Sequence, residues 1–270
     1  MRVRVDDVRE AGTQHREDRV VTEEPLEIRL AGPGSHSRQV VVTMRTPGHD
    51  FELAAGWLFH EGVISGLDDV ATVAYCTDAD LTEEEKFNVV TVNARHLRRS
   101  PAARGMATSA CGVCGSAAIS DVFDHLTHAG APSVGSPLEG PWVRAIPTRM
   151  RERQSLFEHT GGLHAAALFA DNGDLRWLRE DVGRHNAVDK VTGAQLLEGV
   201  EVLGGVIGTS GRLGFEIVQK AVAARRTAVV GVGAPTSLAV ELARKAGLGL
   251  AGFASTDRFV VYAGNDRFAL

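Results

Sequence analysis

The sequence predicts an α/β fold, in which a mainly parallel sheet with flanking helices follows a smaller N-terminal α/β unit. Three observations predict it. Hydrophobic residues make up 44% of the 270 residues, which is enough for a sizeable core. The second half of the chain alternates strand and helix patterns, as parallel sheets covered by helices require. The 30 glycines indicate many tight turns between these elements.

The first half of the chain shows fewer regular patterns. Its first twenty residues are charged and aperiodic, which indicates a ragged start. Asp50 is placed to cap a helix that carries apolar residues from Phe51 to Phe59. Short runs of β-branched or apolar residues predict strands, the first two of them at the edge of a sheet: Val3–Val5, Pro25–Leu30, Gln39–Met44 and Phe87–Asn93.

The middle of the chain is rich in breakers. A polar linker covers His96–Ser109 and leads directly to a pair of cysteines. Apolar residues at helical spacing then predict a helix over Ile119–Leu126. Four prolines in Gly130–Pro147 indicate a loop or a domain crossing. We therefore expect two domains, residues 1–108 and residues 109–270.

The patterns of the second half predict strands and helices in the order β-β-α-β-α-β-α-β-β. The predicted strands are Leu163–Ala170, Leu175–Glu180, Gly204–Thr209, Thr227–Gly233, Leu248–Phe253 and Phe259–Ala263. The first two flank Asp171-Asn172-Gly173-Asp174, a strong hairpin signal. The predicted helices begin at Asp181, at Leu213 and at Thr236 or Ser237. Ligands of such sheets bind beyond the carboxyl ends of the strands.

Charge and composition exclude some classes of protein. With 29 Lys+Arg and 34 Asp+Glu the net charge is −5, so the chain lacks the basic footprint of a nucleic-acid-binding protein. No apolar run is long enough for a bilayer, and the N-terminus lacks the apolar region of a secretory signal. We expect a cytoplasmic protein without a membrane partner. Three cysteines in a reducing compartment argue against a disulfide framework.

Two of these cysteines, Cys111 and Cys114, form a CxxC pair set among glycines, just before a predicted helix. A helix N-terminus favours the thiolate form of a cysteine. The pair fits half of a zinc site, a dithiol redox couple or a sulfur carrier that holds a persulfide. No second CxxC and no histidine pair at ligand spacing completes a zinc site. A position in mid-chain is unusual for a thioredoxin-type pair. Cys76 has no sulfur partner nearby and is interpreted as structural.

Four glycine-rich loops in the second half carry polar residues: Thr160–His164, Glu180–Asn186, Thr209–Arg212 and Gly233–Ser237. Each alone is ordinary loop chemistry, but together at one sheet edge they indicate an anion site. Thr209, Ser210 and Arg212 are candidate contacts, and Arg184 could add a charge-assisted bond. His185 is interpreted as functional, whereas His164 is either a ligand contact or a core histidine. Lys190 is expected on a solvated face.

Taken together, these segments resemble the formate dehydrogenase accessory sulfurtransferase family, FdhD. The likeness spans nearly the whole chain and includes PLEIRL and ELAAGWLFHEGVI in the first half. The motifs of the second half are SACGVCG (109–115), TGGLHAAALF (160–169), EDVGRHNAVDKVTG (180–193), TSGRLGFEIVQKA (209–221), GAPTSLAVELARKAGLGLAGF (233–253) and DRFVVYAG (257–264).

The resemblance implies a sulfurtransferase with a cytidine deaminase-like fold, acting as a homodimer. It would accept sulfur from a cysteine desulfurase as a persulfide on Cys111, with Cys114 as relay or partner. It would then pass the sulfur to the molybdenum (or tungsten) bis(molybdopterin guanine dinucleotide) cofactor of formate dehydrogenase. The family's cofactor-binding stretch falls on Phe253, Ala254, Ser255, Thr256, Asp257 and Arg258.

Two other functions stay open at this stage. One is a chaperone that binds the cofactor while the cysteines are incidental. The other is a zinc hydrolase on the same fold. Zinc deaminases carry an H-x-E and a P-C-x-x-C motif. Here Ala165 and Ala166 follow His164, and Ala110 precedes Cys111, so neither motif is complete.

Overall fold

The structure is a computed structural model, and it describes residues 1–77, 81–100, 106–107 and 136–269. The predicted helix over Ile119–Leu126, together with Cys111 and Cys114, lies outside these described residues. In the described part, no helix is both long and apolar enough to cross a bilayer.

The N-terminal half contains a hairpin and a five-stranded sheet. Strands β1 (Arg2–Arg9) and β2 (Gly12–Arg19) pair only with each other. The larger sheet has the order β5-β6-β3-β4-β7. Its strands are β3 (Glu24–Ala31), β4 (Arg38–Arg45), β5 (Val70–Tyr75), β6 (Val89–Ala94) and β7 (Met106–Ala107). Helix α1 (Asp50–His60) covers this sheet, and the short α2 (Glu83–Lys86) precedes β6.

The C-terminal half is built on a six-stranded sheet of order β10-β9-β11-β12-β13-β14. Its strands are β9 (His164–Phe169), β10 (Leu175–Asp181), β11 (Val206–Thr209), β12 (Ala228–Gly231), β13 (Gly249–Gly252) and β14 (Val260–Ala263). A separate pair joins β8 (Leu138–Glu139) to β15 (Phe268–Ala269).

Helices cover both faces of the six-stranded sheet. The first face packs against α5 (Arg184–Leu197), α6 (Phe215–Ala223) and α7 (Ser237–Ala246) in one apolar core. The second face packs against α3 (Gly140–Arg151) in another, and the short α4 (Ser155–Thr160) follows α3. A third core lies between α1 and the N-terminal sheet.

The two halves meet where α1 crosses α5. A Cβ atom on Gly56 would lie 1.9 Å from the Asp189 carbonyl oxygen, and one on Gly193 would lie 1.8 Å from that of Glu52. Only glycine permits this approach of the two backbones. The predicted division at residues 108 and 109 stays a prediction, since residues 101–105 and 108–135 lie outside the described part.

The α/β fold class is confirmed, but the six-stranded sheet is more mixed than the expected mainly parallel one. Only β11, β12 and β13 pair in parallel. The predicted hairpin at 171–174 makes β9 and β10 antiparallel, β9 also runs antiparallel to β11, and β14 returns antiparallel after a short turn.

Three local predictions are wrong. The expected ragged start is the hairpin β1–β2, which contains the predicted strand Val3–Val5; both faces of the hairpin are mostly exposed, so its sequence needs no apolar periodicity. The segment Pro25–Leu30 lies in β3, at the centre of its sheet and not at an edge. The described part of the breaker-rich Gly130–Pro147, residues 136–147, contains β8 and the first eight residues of α3, despite Pro141 and Pro147. A proline is tolerated in the first turn of a helix, and the buried Val143, Ile146 and Met150 hold the rest of α3 on the sheet.

Candidate functional site

One edge of the six-stranded sheet gathers the four glycine-rich loops. The parallel strands β11, β12 and β13 all end there. Strand β9 runs the opposite way, so its first residue, His164, lies at the same edge and faces Asp181 of β10. Helices α5, α6 and α7 follow β10, β11 and β12, respectively, so they begin at this edge as well. The predicted convergence of the loops is therefore what the structure shows.

Hydrogen bonds donated by main-chain amides hold these loops in place. The Ser210 hydroxyl accepts a hydrogen bond from the Ala165 amide at 2.9 Å, and the Thr209 hydroxyl accepts one from Gly211 at 3.3 Å. The Gly233 amide donates to the Gly211 carbonyl at 3.2 Å. A Cβ on Gly233 would lie 2.6 Å from that carbonyl oxygen, so glycine is needed here. Thr209 and Ser210 thus shape the loop that follows β11.

Positive side chains surround His164 at this edge. Burial lowers the pKa of His164, and the nearby charges of Arg184, His185 and Arg212 lower it further. A Cβ placed on Gly211 would lie 3.3 Å from Arg184 Cδ and 3.4 Å from His164 Nδ1. Both side chains therefore flank the bare backbone of Gly211. We call His164, Arg184 and Arg212 the basic cluster.

The two arginines of this cluster lack side-chain partners among the residues that the structure describes. The buried Nε of Arg184 has no hydrogen-bond acceptor. Within the described ranges, no hydrogen bond or ion pair joins either Arg184 or Arg212 to another side chain. An unsatisfied buried donor costs about 1–3 kcal/mol. An anionic ligand at this place would satisfy it.

His185 has a different environment from the one its sequence position suggests. Its Nε2 lies 2.8 Å from the Glu216 carboxylate, which joins the first turns of α5 and α6. One of the two His185 ring nitrogens is therefore already engaged with protein. Whether it contacts a ligand stays a prediction.

Two helices at this edge begin without a side-chain cap. The N-cap residues of α5 and α6 are Gly183 and Gly214, and neither offers a capping side chain. Helix α7 is capped by the Thr236 hydroxyl, which accepts from Ala239. Backbone N–H groups at uncapped helix starts favour anions. They add to the positive potential of the basic cluster.

The predicted cofactor-binding stretch follows β13 at the same edge. Phe253 has the positive φ of 51° and is 40% exposed, an unusual state for a bulky aromatic residue. Ala254 is buried, and the Ser255 hydroxyl accepts from the amides of Asp257 and Arg258 to close a turn. Ser255 and Ala254 are thus used by the fold, while four side chains of the stretch are exposed: Phe253, Thr256, Asp257 and Arg258.

A cavity of about 500 Å³ adjoins the basic cluster. His164, Ser210 and Val232 line its sheet side, and α3 and α4 contribute Arg151 and Phe157. The Arg151 guanidinium lies 4.1 Å from the centre of the Phe157 ring. Sequence reasoning missed these last two residues, because no motif surrounds them and the segment before them was interpreted as a loop.

Three further predictions from the sequence concern Cys76, Lys190 and Asp181. Cys76 is buried, with its sulfur 3.6 Å from an Arg29 nitrogen. The prediction that Lys190 lies on a solvated face is wrong. Lys190 is 1% exposed, and its Nζ lies 2.7 Å from the Asp181 carboxylate. The predicted cap Asp181 precedes the true N-cap Gly183 and accepts a hydrogen bond from its amide.

Comparisons with known proteins agree with the resemblance seen in the sequence. The profile of the FdhD/NarQ family matches residues 21–269. A Streptomyces avermitilis protein named sulfur carrier protein FdhD is 42% identical over 97% of this chain and 93% of its own length. A Nocardia farcinica protein of the same name is 42% identical over 95% and 90%.

A solved structure supports the fold. It is described as a formate dehydrogenase accessory protein from Desulfotalea psychrophila, and it superposes with a TM-score of 0.76 over 100% of this chain and 99% of its own. Its sequence is 23% identical, so this likeness speaks for the fold alone.

Proposed function

Because this chain belongs to the FdhD/NarQ family, we propose that it is a sulfur carrier required for formate dehydrogenase activity. In this proposal Cys111 holds the sulfur as a persulfide, and the sheet edge binds the anionic cofactor that receives it. The observation that carries the proposal is the basic cluster beside two uncapped helix starts, where the buried Nε of Arg184 has no hydrogen-bond partner and Arg212 forms no ion pair within the described residues.

The proposed sulfur acceptor is molybdenum bis(molybdopterin guanine dinucleotide), bound as a substrate. Its phosphates suit the guanidinium groups of Arg184 and Arg212 and the N–H groups that begin α5 and α6. The buried, unpaired Nε of Arg184 is the feature that such a phosphate would satisfy. The exposed Phe253 offers an aromatic surface to a guanine, and Asp257 can accept hydrogen bonds from its edge.

The first chemical step is thiol–persulfide exchange. The Cys111 thiolate attacks the outer sulfur of a persulfide on a cysteine desulfurase, and the desulfurase cysteine leaves as a thiolate. Release of this sulfur as sulfide needs two electrons. The Cys114 thiolate can supply them by forming a disulfide with Cys111. In this scheme Cys111 carries the sulfur, and Cys114 supplies the electrons for its release.

The described residues connect the start of the cysteine-bearing segment to the sheet edge. In the sequence, Cys111 comes four residues after β7. Strand β7 pairs with β4, where Ala107 faces Thr43. The Thr43 hydroxyl lies 3.4 Å from the Asn186 side-chain oxygen, in the first turn of α5. This connection supports a functional relation between the cysteines and the basic cluster.

Intact-protein mass spectrometry tests the covalent step. The protein is incubated with a cysteine desulfurase and L-cysteine, and then compared with the Cys111→Ala and Cys76→Ala variants. We expect a mass gain of one sulfur, removable by dithiothreitol, in the wild type and in Cys76→Ala but not in Cys111→Ala. An equal gain in Cys111→Ala would refute the assignment. No gain in any variant, with GDP binding intact, would favour the cofactor-binding chaperone.

Titration calorimetry with GDP tests the anion site. We expect Arg184→Met and Arg212→Met each to weaken binding about tenfold, since a hydrogen bond to a charged group contributes roughly 1.5–3 kcal/mol. Arg244→Met is the matched control, because Arg244 lies in the last turn of α7, at the opposite end of that helix from the sheet edge. A wild type that fails to bind GDP would refute the anion site. Sedimentation analysis of the same samples tests the proposed homodimer.

A further inference from the structure

A buried lysine holds the loop that carries Arg184. Lys190 is 1% exposed, and Asp181 is fully buried. The Lys190 Nζ lies 2.7 Å from Asp181 Oδ2 and donates to the Thr46 carbonyl at 2.8 Å. Lys190 therefore joins α5 to the end of β10 and to the residue that follows β4, 144 positions earlier in the chain.

The Asp181 carboxylate is saturated by donors. Its Oδ2 accepts from Lys190 and, at 3.2 Å, from the Thr46 amide. Its Oδ1 accepts from the Gly183 amide at 2.8 Å and from the Asn186 side chain at 3.0 Å. Among the described residues, Lys190 is the only cation that pairs with Asp181. Removing it would leave a buried charge uncompensated, which is strongly unfavourable.

The end of β4 and the residue that follows it hold this loop and the start of α5 at two further points. The Thr46 hydroxyl accepts a hydrogen bond from the Val182 amide at 3.1 Å. The Met44 carbonyl accepts one from the Asn186 side chain at 2.7 Å. The backbone of Val182 and Gly183 is thus fixed from both sides, directly before Arg184.

Resting on the proposed function, we infer that Lys190 and Thr46 are positioning residues for the phosphate groups of the bound ligand. They hold Val182 and Gly183, so that the start of α5 and the Arg184 guanidinium face the sheet edge before the ligand arrives. Preorganised donors bind more tightly than donors that must be ordered on binding. The affinity for the anion should therefore depend on a lysine that is itself almost fully buried.

A second, partly buried lysine provides a matched comparison. Lys220 of α6 pairs with Asp189 at 2.7 and 2.9 Å, and Asp189 also binds His60 at 2.6 Å. Lys220 and Asp189 are 12% and 2% exposed. This pair joins α1, α5 and α6 but makes no bond to the loop between β10 and α5. Its loss should destabilise the fold without misplacing Arg184.

The experiment compares GDP affinity in Lys190→Met and Lys220→Met by titration calorimetry, with melting temperatures measured on the same samples. We expect both variants to melt at lower temperature, and only Lys190→Met to bind GDP about tenfold more weakly, equivalent to about 1.4 kcal/mol. Unchanged affinity in folded Lys190→Met would overturn the inference. An equal loss in Lys220→Met would overturn it as well, since the effect would then be one of general stability.

If Lys190→Met does not fold, two conservative substitutions of Thr46 test the positioning role instead. Thr46→Val removes the acceptor for the Val182 amide at nearly constant volume, whereas Thr46→Ser keeps it. We expect weaker GDP binding in Thr46→Val and wild-type binding in Thr46→Ser. Equal affinities in the two variants would refute the positioning role. A wild type that does not bind GDP would instead refute the proposed anion site and the inference with it.

Discussion

The contact between α1 and α5 leads to a quantitative prediction for Gly193→Ala. A Cβ at this position would lie 1.8 Å from the Glu52 carbonyl oxygen, where ordinary contact begins at 3.4 Å. The three atoms nearest to this Cβ are all backbone atoms of Glu52 in α1, so no side chain can move aside. The two helices must separate by about 1.6 Å to accept the new methyl group.

This separation has a cost that can be worked out. Overpacking of a tight contact costs about 1–3 kcal/mol. The 2.6 Å bond between His60 of α1 and Asp189 of α5 would stretch beyond hydrogen-bond length, which costs roughly 1.5–3 kcal/mol for a charged partner. The higher helix propensity of alanine returns about 1 kcal/mol. We expect a net loss of about 2–5 kcal/mol in the free energy of unfolding.

Thermal unfolding followed by circular dichroism measures this loss. In a chain of this size each kcal/mol lowers the melting temperature by about 2 °C or more, so Gly193→Ala should melt at least about 4 °C below the wild type. Gly66→Ala is the control, since no atom lies within 4 Å of its added Cβ and its φ is extended. A melting temperature of Gly193→Ala at or above that of the wild type would refute the reasoning.

Four further predictions concern titration and strain. Burial lowers the pKa of His60 from 6.5 to about 4, so its contribution to stability is complete above pH 6.5 and is lost as the pH falls toward 4. Denaturant unfolding should show this loss, on the order of 3 kcal/mol, and it should be absent in His60→Gln. Arg184→Met should raise the pKa of His164, as followed by NMR, because the charge of Arg184 helps to lower it. GDP phosphates beside His164 should also raise its pKa. GDP binding should then take up protons, and the affinity for GDP should increase as the pH falls. A binding enthalpy that does not depend on the ionisation enthalpy of the buffer would contradict this. Phe253→Gly should relieve the strain of a left-handed backbone, and it should lose little buried surface. We expect the free energy of unfolding to stay equal or to rise by about 1 kcal/mol, while GDP binding weakens. A clearly lower melting temperature would argue against strain at Phe253.

The site could be predicted from the sequence in part. Glycines after β11 and β12 and the pattern of parallel strands place the loops at one edge, because chain direction alone decides where such strands end. Arg184 and Arg212 follow from this placement. Arg151 and Phe157 do not, since their approach to His164 depends on how α3 and α4 pack against the sheet.

The sequence by itself determined the elements of the second half and the family, because hydrophobic spacing, turn glycines and extended motifs are local properties of the chain. Only the tertiary structure decided which charges are buried. The sequence predicts Lys190 on the surface of its helix, but it is buried against Asp181 at the end of β10 and Thr46 just after β4. The close approach of α1 and α5 at Gly56 and Gly193 is likewise invisible along the chain, since it joins segments that are far apart in the sequence and meet only in the tertiary structure.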